Sequence, residues 1–221
     1  MPREKKVDKI ERGKQILRIL REEYDDGGTA LEYEDKWELL VATILSARAT
    51  DEKVNEVTPQ LFHKYPTVQD LAEADREDIE EIVHPTGFFR QKARSLHESA
   101  QKIVDDFGGE VPETLDELTE LRGVARKTAN VVLQEAIRPE GPHEGVVVDT
   151  HVKRLSKRMG LVPSTWDNAD KIEKRLMDLF PNDDWDLSFV FILHGREICT
   201  SRSPDCEECP VLDLCPRRGV D

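Results

Sequence analysis

The chain has 221 residues and carries 46 acidic against 32 basic side chains, which gives a formal net charge of −14. It contains no run of 18 apolar residues and starts with charged residues, so the sequence excludes a membrane-spanning helix and predicts a soluble, cytoplasmic protein without a secretory signal. Taken alone, the excess of acid argues against a nucleic-acid partner, because a negative surface repels phosphate.

Apolar residues at helical spacing predict helices along the first half of the chain. The expected elements are a helix from Ile10 to Tyr24 that ends at Gly27-Gly28, one over Trp37 to Leu45, one capped by Asp51, two short ones started by Thr67 and Asp75, and a long one from Phe89 to Phe107.

The second half continues the helical pattern. Thr114-x-x-Glu117 is a capping box, and a further helix follows Gly123. Three more helices are expected at about residues 150–159, 167–180 and 186–197. Only Val146 to Val148 has the character of a strand, and three residues do not make a sheet. The predicted fold class is all-α.

The distribution of charge changes the first impression of an acidic protein. Three windows contain basic residues and no carboxylate, namely residues 82–97, 121–134 and 150–166. An acidic chain that keeps three stretches free of acid is protecting a surface that meets an anion.

The segment from Leu121 to Asn130 breaks a local rule of helix chemistry. A glycine turn at Gly123 precedes a helix start, where acidic residues normally lie, yet the segment carries Arg122, Arg126 and Lys127. Main-chain amides at such a turn, together with cationic side chains, form a binding site for phosphate. A lysine in this position is a candidate amine nucleophile, the alternative being a solvated surface lysine.

Asp149 is the second candidate. It follows the apolar triplet and precedes the helix that carries Lys153 to Arg158. A carboxylate there is either a helix N-cap or a catalytic group that stabilises a cation or holds a water, and the two roles are compatible.

All four cysteines lie near the end of the chain, as Cys199-x6-Cys206-x2-Cys209-x5-Cys215. Zinc ribbons use two C-x2-C pairs that are farther apart, whereas a compact loop of this kind supplies one thiolate to each iron of a [4Fe–4S] cluster. A structural zinc site and two disulfides are the alternatives.

These motifs occur together in one known family. Residues 121–134 with Lys127, the Val148-Asp-Thr-His151 segment and the cysteine tail resemble endonuclease III, a helix–hairpin–helix DNA glycosylase and apurinic/apyrimidinic (AP) lyase. The segments Leu45–Asp51, Thr86–Ala93 and Leu193–Arg196 resemble it as well.

The resemblance implies a six-helix barrel over residues 29–143, ending in the hairpin, and a cluster domain formed by residues 1–28 and 144–221, with the DNA between the two. Lys127 would be the nucleophile that attacks C1′ of a flipped nucleotide, and Asp149 the acid that assists departure of the base. The implied substrate is double-stranded DNA with oxidised pyrimidines or abasic sites, cut 3′ to the lesion by β-elimination, and the implied state is a monomer.

The DNA-contacting residues that the resemblance implies are Arg48, Phe88, Arg122, Gly123, Ala125, Arg126, His151, Lys153 and Arg202. Arg48 and Phe88 would fill the gap left by the flipped nucleotide, although Phe88 could equally be a core residue beside Phe89. The sequence departs from the family at Arg122, where proline is usual, and at Ala125, where glycine is usual. Alanine at 125 would be strained if the hairpin needed a positive φ there.

Other readings remain open at this point. Mismatch-specific adenine or thymine glycosylases share the hairpin and the cysteines, and a non-enzymatic iron–sulfur DNA-binding protein is a further alternative. The excess of acid outside the three windows, together with 14 lysines, is typical of a protein from the salt-rich cytoplasm of a halophilic archaeon.

Overall fold

The computed structural model describes residues 4–24, 28–139 and 141–220, without the side chains of Asn182 and Asp183. The described residues are helical and contain no β-strand, as the sequence predicts. The chain divides into two compact units. We call residues 29–140 the hairpin unit and residues 1–28 with 141–221 the cysteine unit. Of the described helices, none combines the length and the apolar character needed to span a bilayer.

The hairpin unit contains seven α-helices in its described part, of which the last two form the hairpin pair. They are α2 (Lys36–Leu45), α3 (Asp51–Lys64), α4 (Val68–Glu73), α5 (Arg76–Val83), α6 (Phe89–Phe107), α7 (Leu115–Thr119) and α8 (Arg126–Val132). A single π-helical turn, Leu133–Ile137, extends α8. Helix α6 packs against α2, α4 and α5, and α8 packs against α2 and α7.

Short polar side chains start most of these helices. Thr67 forms a capping box with Asp70, and Thr114 accepts a hydrogen bond from the amide of Glu117. The prediction that Asp51 caps α3 is wrong by one residue. Thr50 is the cap, and Asp51 occupies the first turn, where its negative charge is attracted to the positive end of the helix dipole.

The cysteine unit is built from four α-helices in its described part. They are α1 (Lys6–Glu23), α9 (Thr150–Arg158), α10 (Ala169–Leu179) and α11 (Ser188–Glu197). The end of α1 that was expected at Gly27-Gly28 falls at Glu23, and Gly27 lies outside the described residues. Helix α9 packs against α11, and α1 packs against α10 and α11.

Each unit has its own apolar core. Val146 and Val148, the strand-like residues, form no ladder and are buried in the core of the cysteine unit just before α9. This buried segment fixes where α9 begins, and α9 carries Asp149 at its start.

Candidate functional site

The hairpin between α7 and α8 is held by a glycine and by helix α6. Gly123 has φ +82°, and a Cβ added there would lie 2.9 Å from both Cβ and Oγ of Ser95 on α6. The Ser99 hydroxyl donates a hydrogen bond to the carbonyl of Arg122 at 2.9 Å. Position 123 therefore needs glycine both for its backbone conformation and for its close approach to α6.

Alanine at 125 fits this hairpin. Ala125 precedes α8 with φ −82° and ψ 164°, an extended conformation that any L-residue adopts. The strain that a positive φ would have caused is absent at this position.

Lys127 lies in the first turn of α8 with its side chain exposed. No carboxylate of the described residues lies within salt-bridge distance of its amine. The neighbouring Arg122 is also exposed, and its Nε lies 3.3 Å from a carboxylate oxygen of Glu98. The amine of Lys127 is thus held on a short, well-anchored helix start and is accessible to a ligand.

Arg48 and Phe88 are two non-glycine residues in left-handed conformations, with φ +57° and +49°. The guanidinium carbon of Arg48 lies 5.2 Å from the centroid of the Phe88 ring, within the range of a cation–π contact. Phe88 is 56% exposed, so the alternative of a core phenylalanine is wrong. Backbone strain of this kind persists where the surrounding structure imposes it, and it clusters at ligand-binding positions.

A cavity connects this pair with the hairpin. It is lined by Ile44, Ala47, Arg48, Phe88, Gln91, Lys92, Ser95 and Gly123. Lys92 is only 4% exposed, and its ammonium donates a hydrogen bond to the carbonyl of Thr86 at 2.7 Å. Burial lowers the pKa of the Lys92 ammonium. This buried lysine ties the turn before Phe88 to helix α6.

Asp149 is the N-cap of α9 in the cysteine unit. Its Oδ1 accepts a hydrogen bond from the amide of Val152 at 2.8 Å. Oδ2 has no hydrogen-bond donor among the described residues, and the side chain is half-buried. The capping role is therefore present, and it leaves one carboxylate oxygen for another partner.

Two arginines on α9 connect it to the cysteine-bearing loop. Arg154 donates to the carbonyls of Cys199 at 3.0 Å and Gly195 at 2.7 Å. Arg158, 8% exposed, donates to the carbonyl of Thr200 at 2.6 Å, and its Nη1 lies 3.3 Å from Sγ of Cys199. These two cations of the third basic window stabilise the loop and do not face an external anion.

The other charged residues of α9 have different surroundings. Nζ of Lys153 and of Lys157 lie 3.4 and 3.2 Å from the same oxygen of Asp167, a residue whose side chain is 83% exposed. His151 is half-buried, and its Nδ1 lies 3.0 Å from a donor nitrogen of Arg154, which leaves Nε2 as the ring's N–H donor. Arg202, in the loop after Cys199, is exposed.

The four cysteines line one cavity, together with mainly apolar residues and the polar side chains of Arg158, His194, Asp205 and Arg217. None of the four forms a disulfide with another described residue. No group of three or more His, Cys, Asp or Glu side chains among those residues converges on the position of a single metal ion. Four sulfurs spread around a shared apolar cavity suit a multi-iron cluster better than a mononuclear zinc, so the donor set fits [4Fe–4S].

The burial of these thiols also favours a bound metal centre. Burial raises the pKa of the Cys209 thiol to about 11 and raises that of Cys215 as well. A thiolate in this cavity needs a strong positive partner, which bound iron supplies.

His194 is a further residue of this centre. It is fully buried, with Nδ1 2.9 Å from the hydroxyl of Tyr24 and Nε2 3.5 Å from Sγ of Cys209. Burial lowers the pKa of its imidazole to about 4.

The sequence pattern did not assign roles to Tyr24 or His194, and it placed Lys92, Arg154 and Arg158 only among the cations of the basic windows. A signal existed for the two arginines, because they lie on α9 beside the buried Val152 and Leu155 and long cationic side chains can pack along an apolar surface. For Lys92 and His194 the pattern gave no such signal, since their burial depends on segments that are distant in sequence.

The chain was compared with known proteins. Residues 41–182 match the family model of the HhH-GPD superfamily base excision DNA repair proteins, and residues 199–215 match the iron-sulfur binding domain of endonuclease III. The endonuclease III of Synechocystis is 50% identical over 96% of this chain and 95% of its own length. The endonuclease III of Escherichia coli is 35% identical over 91% and 93%.

Solved structures agree with the family match. A trapped endonuclease III–DNA covalent intermediate has a TM-score of 0.85 and 37% identity, covering 94% of this chain and 96% of that one. A thermostable thymine-DNA glycosylase superposes with a TM-score of 0.82 at 22% identity, which shows a shared fold alone.

The match over nearly the whole length, the hairpin that carries Lys127 and the four-cysteine cavity lead to one conclusion. The chain belongs to the endonuclease III family of base excision DNA repair enzymes and binds a [4Fe–4S] cluster through Cys199, Cys206, Cys209 and Cys215.

Proposed function

We propose that this DNA glycosylase and AP lyase removes oxidised pyrimidines from double-stranded DNA, with Lys127 as its nucleophile and Asp149 as its assisting acid. The observation that carries the proposal is the exposed Lys127 amine, which no described carboxylate neutralises, on the helix that follows the anchored hairpin. The enzyme acts as a monomer in the cytoplasm.

The chemistry follows from a free amine at C1′ of a nucleotide that has left the base stack. The Lys127 nitrogen bonds to C1′, the C1′–base bond breaks, and the base leaves with the electron pair and takes up a proton. The C1′–O4′ bond then breaks, O4′ leaves with the electron pair and takes up a proton from solvent, and a protonated imine forms between the Lys127 nitrogen and C1′. The imine makes the C2′ proton acidic, and loss of that proton expels the 3′ phosphate as the C3′–O bond breaks.

Asp149 supports this sequence through the oxygen that does not cap α9. A carboxylate near C1′ stabilises the positive charge that develops on the sugar as the base departs. Because Oδ1 is fixed by the amide of Val152, the direction of Oδ2 is fixed as well.

The hairpin unit supplies contacts to the DNA backbone and to the base stack. Arg122, Gly123, Ala125 and Arg126 form the hairpin and the helix start, which hold phosphate through main-chain amides and guanidinium groups. The exposed Phe88 ring, stacked on Arg48, is the wedge that fills the vacated position.

The cysteine unit supplies further cations. The free N–H of His151 and the ammonium of Lys153 are donors for phosphate oxygens, and Arg202 is the basic residue of the loop between the first two cysteines. When bound, the [4Fe–4S] cluster cross-links residues 199–215 through four iron–thiolate bonds. Arg154 and Arg158 connect that loop to α9, the helix that Asp149 caps.

A panel of duplexes tests this function. Duplexes with a single 5,6-dihydrouracil, an abasic site, an A:G mismatch or a T:G mismatch are incubated with the holoenzyme, and the products are resolved with and without alkali treatment. We expect strand cleavage without alkali at the dihydrouracil and the abasic site, and none at the mismatches. Base release that needs alkali to reveal it, or a preference for a mismatch, would contradict the proposal.

We also propose that the protein is adapted to a salt-rich cytoplasm, as in a halophilic archaeon. The net charge of −14 supports this, because crowded carboxylates repel one another and molar salt screens them over about 3 Å. We expect thermal stability to rise with KCl into the molar range while DNA affinity falls. A protein that is most stable at the lowest salt would contradict it.

A further inference from the structure

His194 lies between a tyrosine hydroxyl and a cluster ligand. Its ring has no solvent exposure. Nδ1 is 2.9 Å from the Tyr24 hydroxyl, and Nε2 is 3.5 Å from Sγ of Cys209, within hydrogen-bond distance for sulfur. The Tyr24 and His194 rings meet edge to face, with centroids 5.8 Å apart, so both side chains are held by packing as well.

Hydrogen-bond complementarity assigns the protons. A neutral imidazole has one N–H and one acceptor nitrogen, and a ligating thiolate accepts but does not donate. The nitrogen that faces Cys209 must therefore carry the proton. Nδ1 is then the acceptor, and the hydroxyl of Tyr24 is its donor.

The surroundings keep both groups in these forms. His194 has no solvent exposure and Tyr24 is only 7% exposed, so both groups are enclosed by protein. Enclosure disfavours the charged form of an imidazole, and a phenol keeps its proton at pH 7. The His194 main chain adds order, because its carbonyl accepts a hydrogen bond from the amide of Cys199 at 2.7 Å.

We propose that Tyr24 and His194 form a relay that fixes an N–H···S hydrogen bond to Cys209 and thereby sets the reduction potential of the cluster. His194 is a positioning residue for the sulfur, and Tyr24 acts through His194 by orienting its ring and by adding to the preference for the tautomer that carries the proton on Nε2. Tyr24 follows α1, so the relay links the N-terminal helix of the cysteine unit to a ligand near the end of the chain.

The direction of the effect follows from charge. A donor to a ligand sulfur withdraws electron density and stabilises the more reduced, more negative cluster, so it raises the potential. Arg158 provides a second side-chain donor of this kind, to Sγ of Cys199 at 3.3 Å. Loss of the His194 donor should therefore lower the potential without removing the other contact.

The experiment compares holoproteins that carry Tyr24→Phe, His194→Gln or both, with Tyr33→Phe as the matched control. Tyr33 also donates its hydroxyl within the protein, but to the carbonyl of Glu135 in the other unit. The readouts are iron content, the cluster reduction potential and the Fe–S(Cys) stretching frequencies in resonance Raman spectra.

We expect Tyr24→Phe to keep its iron, to shift the potential to a more negative value and to raise the Fe–S(Cys) frequencies. Glutamine at 194 donates from its own amide and needs no tautomer, so adding Tyr24→Phe to His194→Gln should cause no further shift. Tyr33→Phe should match the unmodified protein. A potential and spectrum unchanged in Tyr24→Phe would overturn the relay.

A measurement on the unmodified holoprotein keeps the proposal testable even where a variant loses its cluster. Histidine labelled with ¹⁵N gives separate signals for protonated and bare ring nitrogens, and the His194→Gln variant identifies the signal of His194. We expect the proton on Nε2. A proton on Nδ1 would contradict the assignment directly.

Discussion

Replacing Gly123 by alanine isolates what the hairpin backbone contributes to the enzyme. The residue has φ +82°, a conformation that costs an L-residue about 1–2 kcal/mol. The new Cβ would also lie 2.9 Å from Cβ of Ser95, an atom that rotation of the serine side chain does not move. Forcing such a contact costs about 1–3 kcal/mol, so we expect Gly123→Ala to lose about 2–5 kcal/mol of unfolding free energy.

The hairpin must also shift away from α6 to relieve that contact, and its main chain then presents the phosphate-binding amides in the wrong place. We expect DNA affinity to fall about tenfold, which corresponds to about 1.4 kcal/mol. Denaturant unfolding followed by circular dichroism measures the first effect, and titration of an uncleavable abasic-site duplex measures the second.

Ala125→Gly is the control, because it makes the reverse exchange of alanine for glycine two residues away. Because Ala125 has φ −82°, glycine gains nothing there and costs about 0.4–1 kcal/mol through the unfolded state. If Gly123→Ala were as stable as the unmodified protein and bound DNA equally well, the close approach to Ser95 would not be what shapes the hairpin.

Three further changes test individual roles. Asp149→Asn keeps a good N-cap for α9, so the free energy of unfolding should change by no more than about 0.5 kcal/mol, while base excision slows by orders of magnitude. Comparable losses of stability and of activity would mean that Asp149 acts only as a cap. Phe88→Ala should leave stability within about 0.5 kcal/mol, because the ring is 56% exposed, and should reduce excision from duplex DNA more than cleavage at an abasic site; equal effects on both substrates would remove the wedge role. Asp167→Asn should tighten DNA binding severalfold, because one carboxylate oxygen of Asp167 pairs with two lysines of α9. Asp170→Asn is the control, since it removes the same charge from an exposed residue without those contacts. Equal gains in affinity from both variants would show that only the net charge of the protein matters.

Much of the fold could be predicted from the sequence because burial and helical spacing determine it locally. The helix at Thr150–Arg158 follows from its apolar stripe and its N-cap Asp149. The four-cysteine loop could be interpreted because its spacing restricts the metal chemistry. The misplaced cap of α3 had a local cause, since Thr50 and Asp51 are both good caps and only the backbone decides between them.

The parts that could not be predicted depend on tertiary packing. Phe88 and Phe89 are adjacent and equally apolar, yet Phe88 is exposed while Phe89 contacts the ring of His84 at a centroid distance of 4.4 Å. A left-handed residue at position 88 causes this difference, and composition does not encode it. A count of charges in a window gives their sign but not where each side chain points, so it grouped Arg158 with the surface cations. In the folded chain the side chain of Arg158 points to the cysteine loop.

Borohydride trapping tests the central claim most directly. If Lys127 forms the imine with C1′, borohydride reduces that imine and leaves a stable covalent complex with DNA that contains an abasic site. Lys127→Ala should abolish the complex while DNA binding persists through the hairpin and the arginines. Lys174→Ala, which removes an exposed lysine of α10, should trap as the unmodified enzyme does. Undiminished trapping by Lys127→Ala would contradict the account and assign the nucleophile to another residue.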